Sequence, residues 1–166
     1  MAKDGDVEST SAILFGDGRQ TGADRPALDA AIEANFRTGG WVPARRFAED
    51  GVIAPHYLNL RETPSTDVSE RTRRNVDDSD ATLIVFHGSI AGGTKLTWEY
   101  ATQVGKPCKL ADLDHLSELA ASEEIRGWLD LLDISILNVA GPRASEDPEI
   151  YGCVFRLITS LLNSSK

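Results

Sequence analysis

Hydrophobic positions along this chain switch between two periods. Ser11–Phe15 ends in the apolar run Ile13-Leu14-Phe15, and Ala81-Thr82-Leu83-Ile84-Val85-Phe86 is apolar almost throughout. Short runs of that kind read as strands covered on both faces. After the first, Leu28, Ala31, Ile32 and Phe36 fall at i, i+3, i+4 and i+8, which predicts a helix over about Gly22 to Phe36. Arg37 to Pro43 holds a short second strand, and Leu58-Asn59-Leu60 a minor one. Ser65-Thr66-Asp67 offers N-caps for a polar helix over about Val68 to Asp78. Its large apolar residues are Val68 and Val76, so it lies on the surface or its charges meet a partner or ligand; Asn75 either points at the pocket or, the safer reading, belongs to a solvated face. Beyond Phe86, Thr97, Tyr100, Ala101 and Val104 share a helical face, and Cys108-Lys109-Leu110 is a short strand. Leu116, Leu119, Ala120, Ile125, Trp128, Leu129 and Leu132 mark one or two helices, and Ile134 to Ala140 is the last strand. Ile150, Cys153, Val154, Leu157, Ile158, Leu161 and Leu162 then form the clearest amphipathic stripe of the chain. Alternating strands and helices predict an α/β architecture: a doubly wound, mainly parallel sheet with helices on both faces, about five strands, in the order 3-2-1-4-5 or its extension. The reading is a lead over residues 1–10 and a single domain over 11–166.

Three of these strands run into glycine-bearing loops. Gly16, Gly18 and Gly22 follow Phe15, with Arg19, Gln20 and Thr21 among them; His87-Gly88-Ser89 and Ala91-Gly92-Gly93-Thr94 follow Phe86; Gly141-Pro142-Arg143 follows Ala140. Strand, glycine turn and helix start together expose backbone N–H groups to an anion, usually a phosphate. Such a turn alone also serves simply to reverse the chain. Two of the same build, expected side by side at the carboxyl edge of a parallel sheet, mark the crevice where open α/β sheets take ligands. Asp24 lies in the first turn of the first helix, where a carboxylate either favours the helix end or contacts a ligand. Gly39-Gly40 permits close approach, and Trp41 either packs in the core or stacks on a flat ring.

Charge sharpens this picture. The 166 residues include 26 acidic against 17 basic, a formal charge of −9, and such a field repels nucleic acid and anionic membrane, so neither is an expected partner. An anion site in this body must be locally positive, with Arg19, Arg25, Arg45, Arg46, Lys95 and Arg143 as candidates. The two cysteines, Cys108 and Cys153, and three histidines, His56, His87 and His115, show no metal-ligand spacing. The cysteines read as small buried hydrophobes in a reducing compartment. Met1–Thr10 has no apolar signal-like run and no window approaches a membrane span, so a cytoplasmic location is expected.

Familiar phosphate motifs fit poorly. Gly16, Gly18 and Gly22 are spaced G-x-G-x-x-x-G rather than G-x-G-x-x-G, and the second strand lacks the acidic residue that would hold a ribose. Neither the P-loop pattern nor a G-x-S-x-G elbow occurs. His87, at a strand's carboxyl end, is placed as a base near neutral pH or as an incidental loop residue.

Gly18-Arg19-Gln20-Thr21-Gly22-Ala23-Asp24-Arg25 resembles the G-G-Q-T-G-A-D-R opening of the putative molybdenum cofactor carrier proteins. The likeness continues in order through Thr38-Gly39-Gly40-Trp41, Ala48-Glu49-Asp50-Gly51, Arg61-Glu62-Thr63, Arg71-Thr72, Asn75-Val76 and Asp78-Ser79-Asp80-Ala81-Thr82. It ends with Gly92-Gly93-Thr94, Gly105-Lys106-Pro107 and Leu137-Asn138-Val139-Ala140-Gly141-Pro142-Arg143. The resemblance implies a Rossmann-like fold of the SLOG type, related to lysine-decarboxylase-like nucleotide binders. It implies homo-oligomers, dimers or tetramers, that bind, store or transfer the molybdenum cofactor (molybdopterin) toward recipient molybdoenzymes without turning it over. Arg19 stands where the family usually has a second glycine, adding a charge that grips an anion or crowds its approach.

With that ligand, N–H groups over Gly18–Gly22, at Gly88 and over Gly92-Gly93-Thr94 would hold oxyanions, helped by the hydroxyls of Thr21, Ser89 and Thr94 and by Arg25 or Arg143. Asp24 would accept from the pterin's amino group. Two alternatives remain. Gly92-Gly93-Thr94 with Glu99 is similar to the G-G-x-G-T-x-x-E motif of nucleoside-monophosphate phosphoribohydrolases, but Thr97 occupies the motif's glutamate position and Glu99 lies two further on. The other is a nucleotide-sensing SLOG module without cargo.

Overall fold

Strand β6 (Ala81–Phe86) is buried along its whole length, as its apolar composition requires, and the rest of the sheet builds outward around it. The computed structural model describes residues 13–15, 24–48 and 50–164, with side chains over 25–47 and 50–164. The other strands are β1 (Ile13–Phe15), β2 (Thr38–Val42), β3 (Phe47–Ala48), β4 (Gly51–Val52), β5 (Leu60–Glu62), β7 (Cys108–Asp112) and β8 (Ile136–Ala140). The helices are α1 (Asp24–Glu33), α2 (Val68–Asp78), α3 (Gly92–Gln103), α4 (Glu118–Asp130) and α5 (Ile150–Asn163). Six strands form one parallel sheet in the order β5-β2-β1-β8-β6-β7, and β3 and β4 make a small antiparallel pair beside it. The fold is the expected Rossmann-like α/β arrangement. Right-handed crossovers place α1, α4 and α5 on one face, where α5 packs on both α1 and α4, and α2 against α3 on the other.

The strand order departs from expectation. Counting the six sheet strands along the chain, the order is 3-2-1-6-4-5, not an extension of 3-2-1-4-5. The last strand enters the middle of the sheet and separates β1 from β6. Asp80 draws it there: its Oδ2 accepts the N–H groups of Ser135 and Ile136, each at 2.8 Å, while its own N–H donates to the Ile136 carbonyl at 2.9 Å. Inside the sheet, register pairs Thr82 with Asn138, and the Asn138 Nδ2 donates to the Thr82 hydroxyl at 3.3 Å. Two buried polar side chains thereby satisfy one another, and only this register lets them.

Helix limits follow local chemistry. Asp67 and Ser117 cap α2 and α4, accepting the N–H groups of Ser69 and Ala120. α1 stops at Glu33 rather than at Phe36 because Asn35 turns left-handed (φ 62°) and the Phe36 N–H returns to the Ala31 carbonyl at 2.8 Å. On α5, Ile150, Val154, Leu157, Ile158, Leu161 and Leu162 are buried as their spacing predicts. Cys108 and Cys153 are only half-buried, a correction to their reading as core residues.

The amino edge has its own fastening. The Lys106 ammonium, just after α3, donates to the carbonyls of Val76 at 2.9 Å, Ser79 at 2.7 Å and Asp77, closing the carboxyl end of α2. A cation there meets both the orphan carbonyls and the negative end of the helix. Lys106→Met, which keeps most of the stem, is expected to cost about 1–3 kcal/mol, read as a lowered midpoint in thermal circular dichroism.

Candidate functional site at the carboxyl edge

The chain leaves β6 through α3 on one face of the sheet and leaves β8 through α5 on the other, so the two loops diverge and a crevice opens between them. On the β6 side, Gly88 turns with φ +76° and the Ser89 N–H closes back on the His87 carbonyl at 2.9 Å, a γ-turn. The Gly88 N–H donates to Asp112 Oδ1 at 2.8 Å, and a Cβ at Gly88 would sit 3.0 Å from Asp114 Oδ2, so a side chain there is both strained and crowded. α3 then begins at Gly92 (φ +51°) behind Ala91, and no capping side chain covers its first turn. Gly92 is exposed, Gly93 half-buried and Thr94 buried. This is the geometry that offers N–H groups to an anion.

On the β8 side, Arg143 begins a tight loop. Its N–H donates to Glu146 Oε2 at 3.0 Å, and its carbonyl accepts the N–H groups of Glu146 at 3.0 Å and Asp147 at 2.9 Å. Its side chain is exposed. Opposite stands Arg71, in the first turn of α2 and only 2% exposed. Burial, and after it the like charge of Arg143, push the Arg71 guanidinium down to about 9. A buried guanidinium that feels the charge of a second one makes a positive spot in an acidic protein.

Arg71 was not among the residues singled out from the sequence, although its signal was present. Val68, Arg71, Thr72, Asn75 and Val76 fall at i, i+3, i+4, i+7 and i+8, and the last four are the buried residues of α2. Asn75 is likewise inside, not on a solvated face. Its Oδ1 accepts the Trp41 N–H at 2.7 Å and its Nδ2 donates to the Trp41 carbonyl at 3.1 Å. Among the described residues β1 pairs with β2 through Leu14↔Thr38 and Phe15↔Gly39, and at Trp41 the Asn75 amide makes the pair of bonds that a neighbouring strand would make.

Several predicted site residues are placed elsewhere. The Trp41 ring turns toward α2: its Nε1 donates to Asp78 at 2.7 Å, with Arg61 and Arg74 over the ring at 5.1 and 4.5 Å from its centroid. Arg25 follows Asp24 at the start of α1 and makes a two-pronged pair with Asp50, at 2.7 and 3.1 Å, which fastens the β3–β4 hairpin to α1. Gly18, Arg19, Gln20, Thr21 and Gly22, and the side chain of Asp24, lie outside the described residues. Ser89, Gly92, Gly93, Thr94 and Gly88 belong to one loop and helix start; Arg143 lies across the crevice from them. β8 intervenes between the loops after β1 and β6, so these do not leave adjacent strands as expected. Glu99, the glutamate of the hydrolase alternative, sits on the exposed side of α3, 3.7 Å from Lys95.

A second chemistry borders the positive spot. His87, Asp114, Glu146, Asp147, Pro148 and Glu149 line an open hollow of about 500 Å³. His87 Nδ1 lies 2.5 Å from Asp147 Oδ2, tying the end of β6 to the loop after β8. Burial opposes the imidazolium, but the Asp147 bond and the carboxylates of Asp147, Asp114 and Glu149 together raise its pKa above the ordinary value. Asp112 accepts from Gly88 and Asp114 N–H groups and meets His115 at 2.7 Å; these bonds outweigh desolvation and hold its carboxyl below the usual range. Among the described residues no group of three or more His, Cys, Asp or Glu side chains is arranged to hold a metal ion, and no helix is long and apolar enough to cross a membrane.

Over residues 16–162 the sequence matches the family described as the Circularly permutated YpsA SLOG family. It is also similar, at 46% identity, to a protein of Syntrophus aciditrophicus SB described as a "Putative molybdenum carrier protein", whose crystal structure was solved at 1.45 Å resolution. The two folds agree with a TM-score of 0.89 over 92% of this chain and 96% of that one. No curated protein matches the sequence. The strand order is what a permuted sheet produces. Numbered from β6 through β7, β8, β1 and β2 to β5, it reads 2-1-3-4-5-6, a doubly wound order whose ligand crevice lies between its first and third strands, here β6 and β8.

Proposed function

The chain belongs to the Circularly permutated YpsA SLOG family, and we propose that it binds the molybdenum cofactor, a pterin phosphate, at the β6–β8 crevice and stores or transfers it as cargo. The observation that carries this reading is the Arg71–Arg143 pair at the carboxyl edge of a protein whose formal charge is −9. Mutually repelling guanidinium groups, one of them buried, gain most from an anion between them. The uncapped first turn of α3 adds backbone N–H groups on the same edge. The hollow beside them supplies the opposite chemistry: the carboxylates of Asp114 and Glu146 are suited to the amino and ring N–H groups of a pterin. An edge with donors at one end and acceptors at the other fits a ligand with an anionic tail and a donor-bearing heterocycle. The 46% identical protein described as a molybdenum carrier supports the same cargo.

Mass spectrometry of the small molecule released from the purified full-length protein tests the proposal. A pterin phosphate is the expected result; an adenine nucleotide would replace it with the sensing alternative. Adenine released from added AMP would make the protein a hydrolase. In titrations with the cofactor, Gly93→Val, which puts a branched side chain into the first turn of α3, is expected to weaken binding by about tenfold, or about 1.4 kcal/mol. An unchanged affinity would remove that turn from the site.

A further inference from the structure

The loop that carries Arg143 is held by a residue from a different strand. Asp147 connects the two: one carboxylate oxygen lies 2.5 Å from His87 Nδ1, and the other accepts the Glu149 N–H at 3.2 Å. The Asp147 N–H in turn donates to the Arg143 carbonyl at 2.9 Å. Arg143, Glu146 and Asp147 therefore form one closed turn, anchored to the sheet through His87. The groups facing that imidazole are all acidic: Asp114 from the loop after β7, and Glu146, Asp147 and Glu149 from the loop after β8.

We propose that His87 is a positioning residue for anion binding: through Asp147 it holds the Arg143 loop over the crevice, so that an anion is gripped more tightly when His87 is protonated. The inference rests on the reading above, that this edge takes an anion. A charged imidazole bonded to a carboxylate at 2.5 Å is a strong, directional tie; a neutral one is a weaker one. Because the folded-state pKa of His87 is raised, the tie is complete below the ordinary imidazole range near 6.5 and is lost as pH rises through the raised value. Loosening the loop lets Arg143 move away from Arg71, and the anion loses one of its two guanidinium partners.

Sulfate is the suitable probe, since its charge is constant from about pH 5.5 to 8.5 while that of phosphate and of His87 is not. The full-length protein should bind it about five- to tenfold more tightly at the acid end, the size of an ordinary coupling between sites. His87→Asn, which keeps a donor but cannot charge, should give a pH-independent affinity near the wild-type alkaline value. Asp147→Asn should also be flat. If it kept the wild-type pH dependence, His87 would be acting directly through its field, and the positioning role would be overturned. His115→Asn should retain the dependence, and its loss there would reassign the titration to His115. Amide exchange of Glu146 and Asp147, expressed as protection against the intrinsic rate, should fall over the same range in the wild type and not in His87→Asn. Sulfate binding that is firm but flat with pH in the wild type would overturn this inference and leave the anion site standing. An absence of sulfate binding at every pH would overturn both.

Discussion

Replacing Arg71 by methionine is expected to weaken sulfate or cofactor binding at the carboxyl edge by about 10- to 100-fold, the loss of a charge-assisted hydrogen bond of about 1.5–3 kcal/mol. Methionine fills much of the same volume, so the first turn of α2 should keep its packing. Arg71 is 2% exposed, and its charge is already weakened by burial and by the like charge of Arg143. A bound anion reverses both penalties at once, which is why the change should be read in affinity. Arg71→Lys keeps the charge but not the planar fork and should fall between the two. Calorimetric titration measures the effect, and circular dichroism checks that the variant is folded. A folded Arg71→Met that binds as tightly as the wild type would leave the crevice without its principal cation.

Asn75→Leu is expected to be strongly damaging to the fold, about 2–4 kcal/mol, because it strands two half-buried backbone groups of Trp41 rather than one side chain. Both arms of the Asn75 amide close on Trp41, and leucine of similar size can replace neither bond. In a domain of this length the midpoint of thermal unfolding should drop by roughly 5–15 °C. Trp41 provides a local reporter, since its indole N–H is held by Asp78 and its ring lies under Arg61 and Arg74. A variant that melts like the wild type, with unchanged tryptophan emission, would show that water can take over the Trp41 bonds.

These residues also show what a sequence does and does not disclose. β6 and α5 were legible because each carries its message in one period: a run buried at every position, and a stripe repeating at helical spacing. The glycine turn after β6 was legible for the same reason, since strand, glycine and helix start are local. The place of β8 was not. It depends on Asp80 reaching Ser135 and Ile136, and on Asn138 facing Thr82, contacts between residues more than fifty positions apart. Arg71 was hidden by its company. In Glu70-Arg71-Thr72-Arg73-Arg74 composition says only that the helix is polar, and Glu70 and Arg74 do pair near the surface. The two small apolar markers Val68 and Val76 were the guide to the inner face, and they point to Arg71 and Asn75 together. A tryptophan beside Gly39-Gly40 suits either a core or a stacking platform; Trp41 stacks, but on two arginines of its own chain.

The insertion of β8 bears on how the protein is made. Synthesis delivers β1 before β6 and β8 well after both, yet the sheet needs β8 between them before either can be covered on that side. An incomplete chain emerging from the ribosome would thus carry two unzipped strand borders facing each other across a gap, the arrangement most exposed to wrong partners. Closure must wait until β8 has been translated. The join between the two halves of the sheet thus depends on a segment of five residues and the helix that follows it.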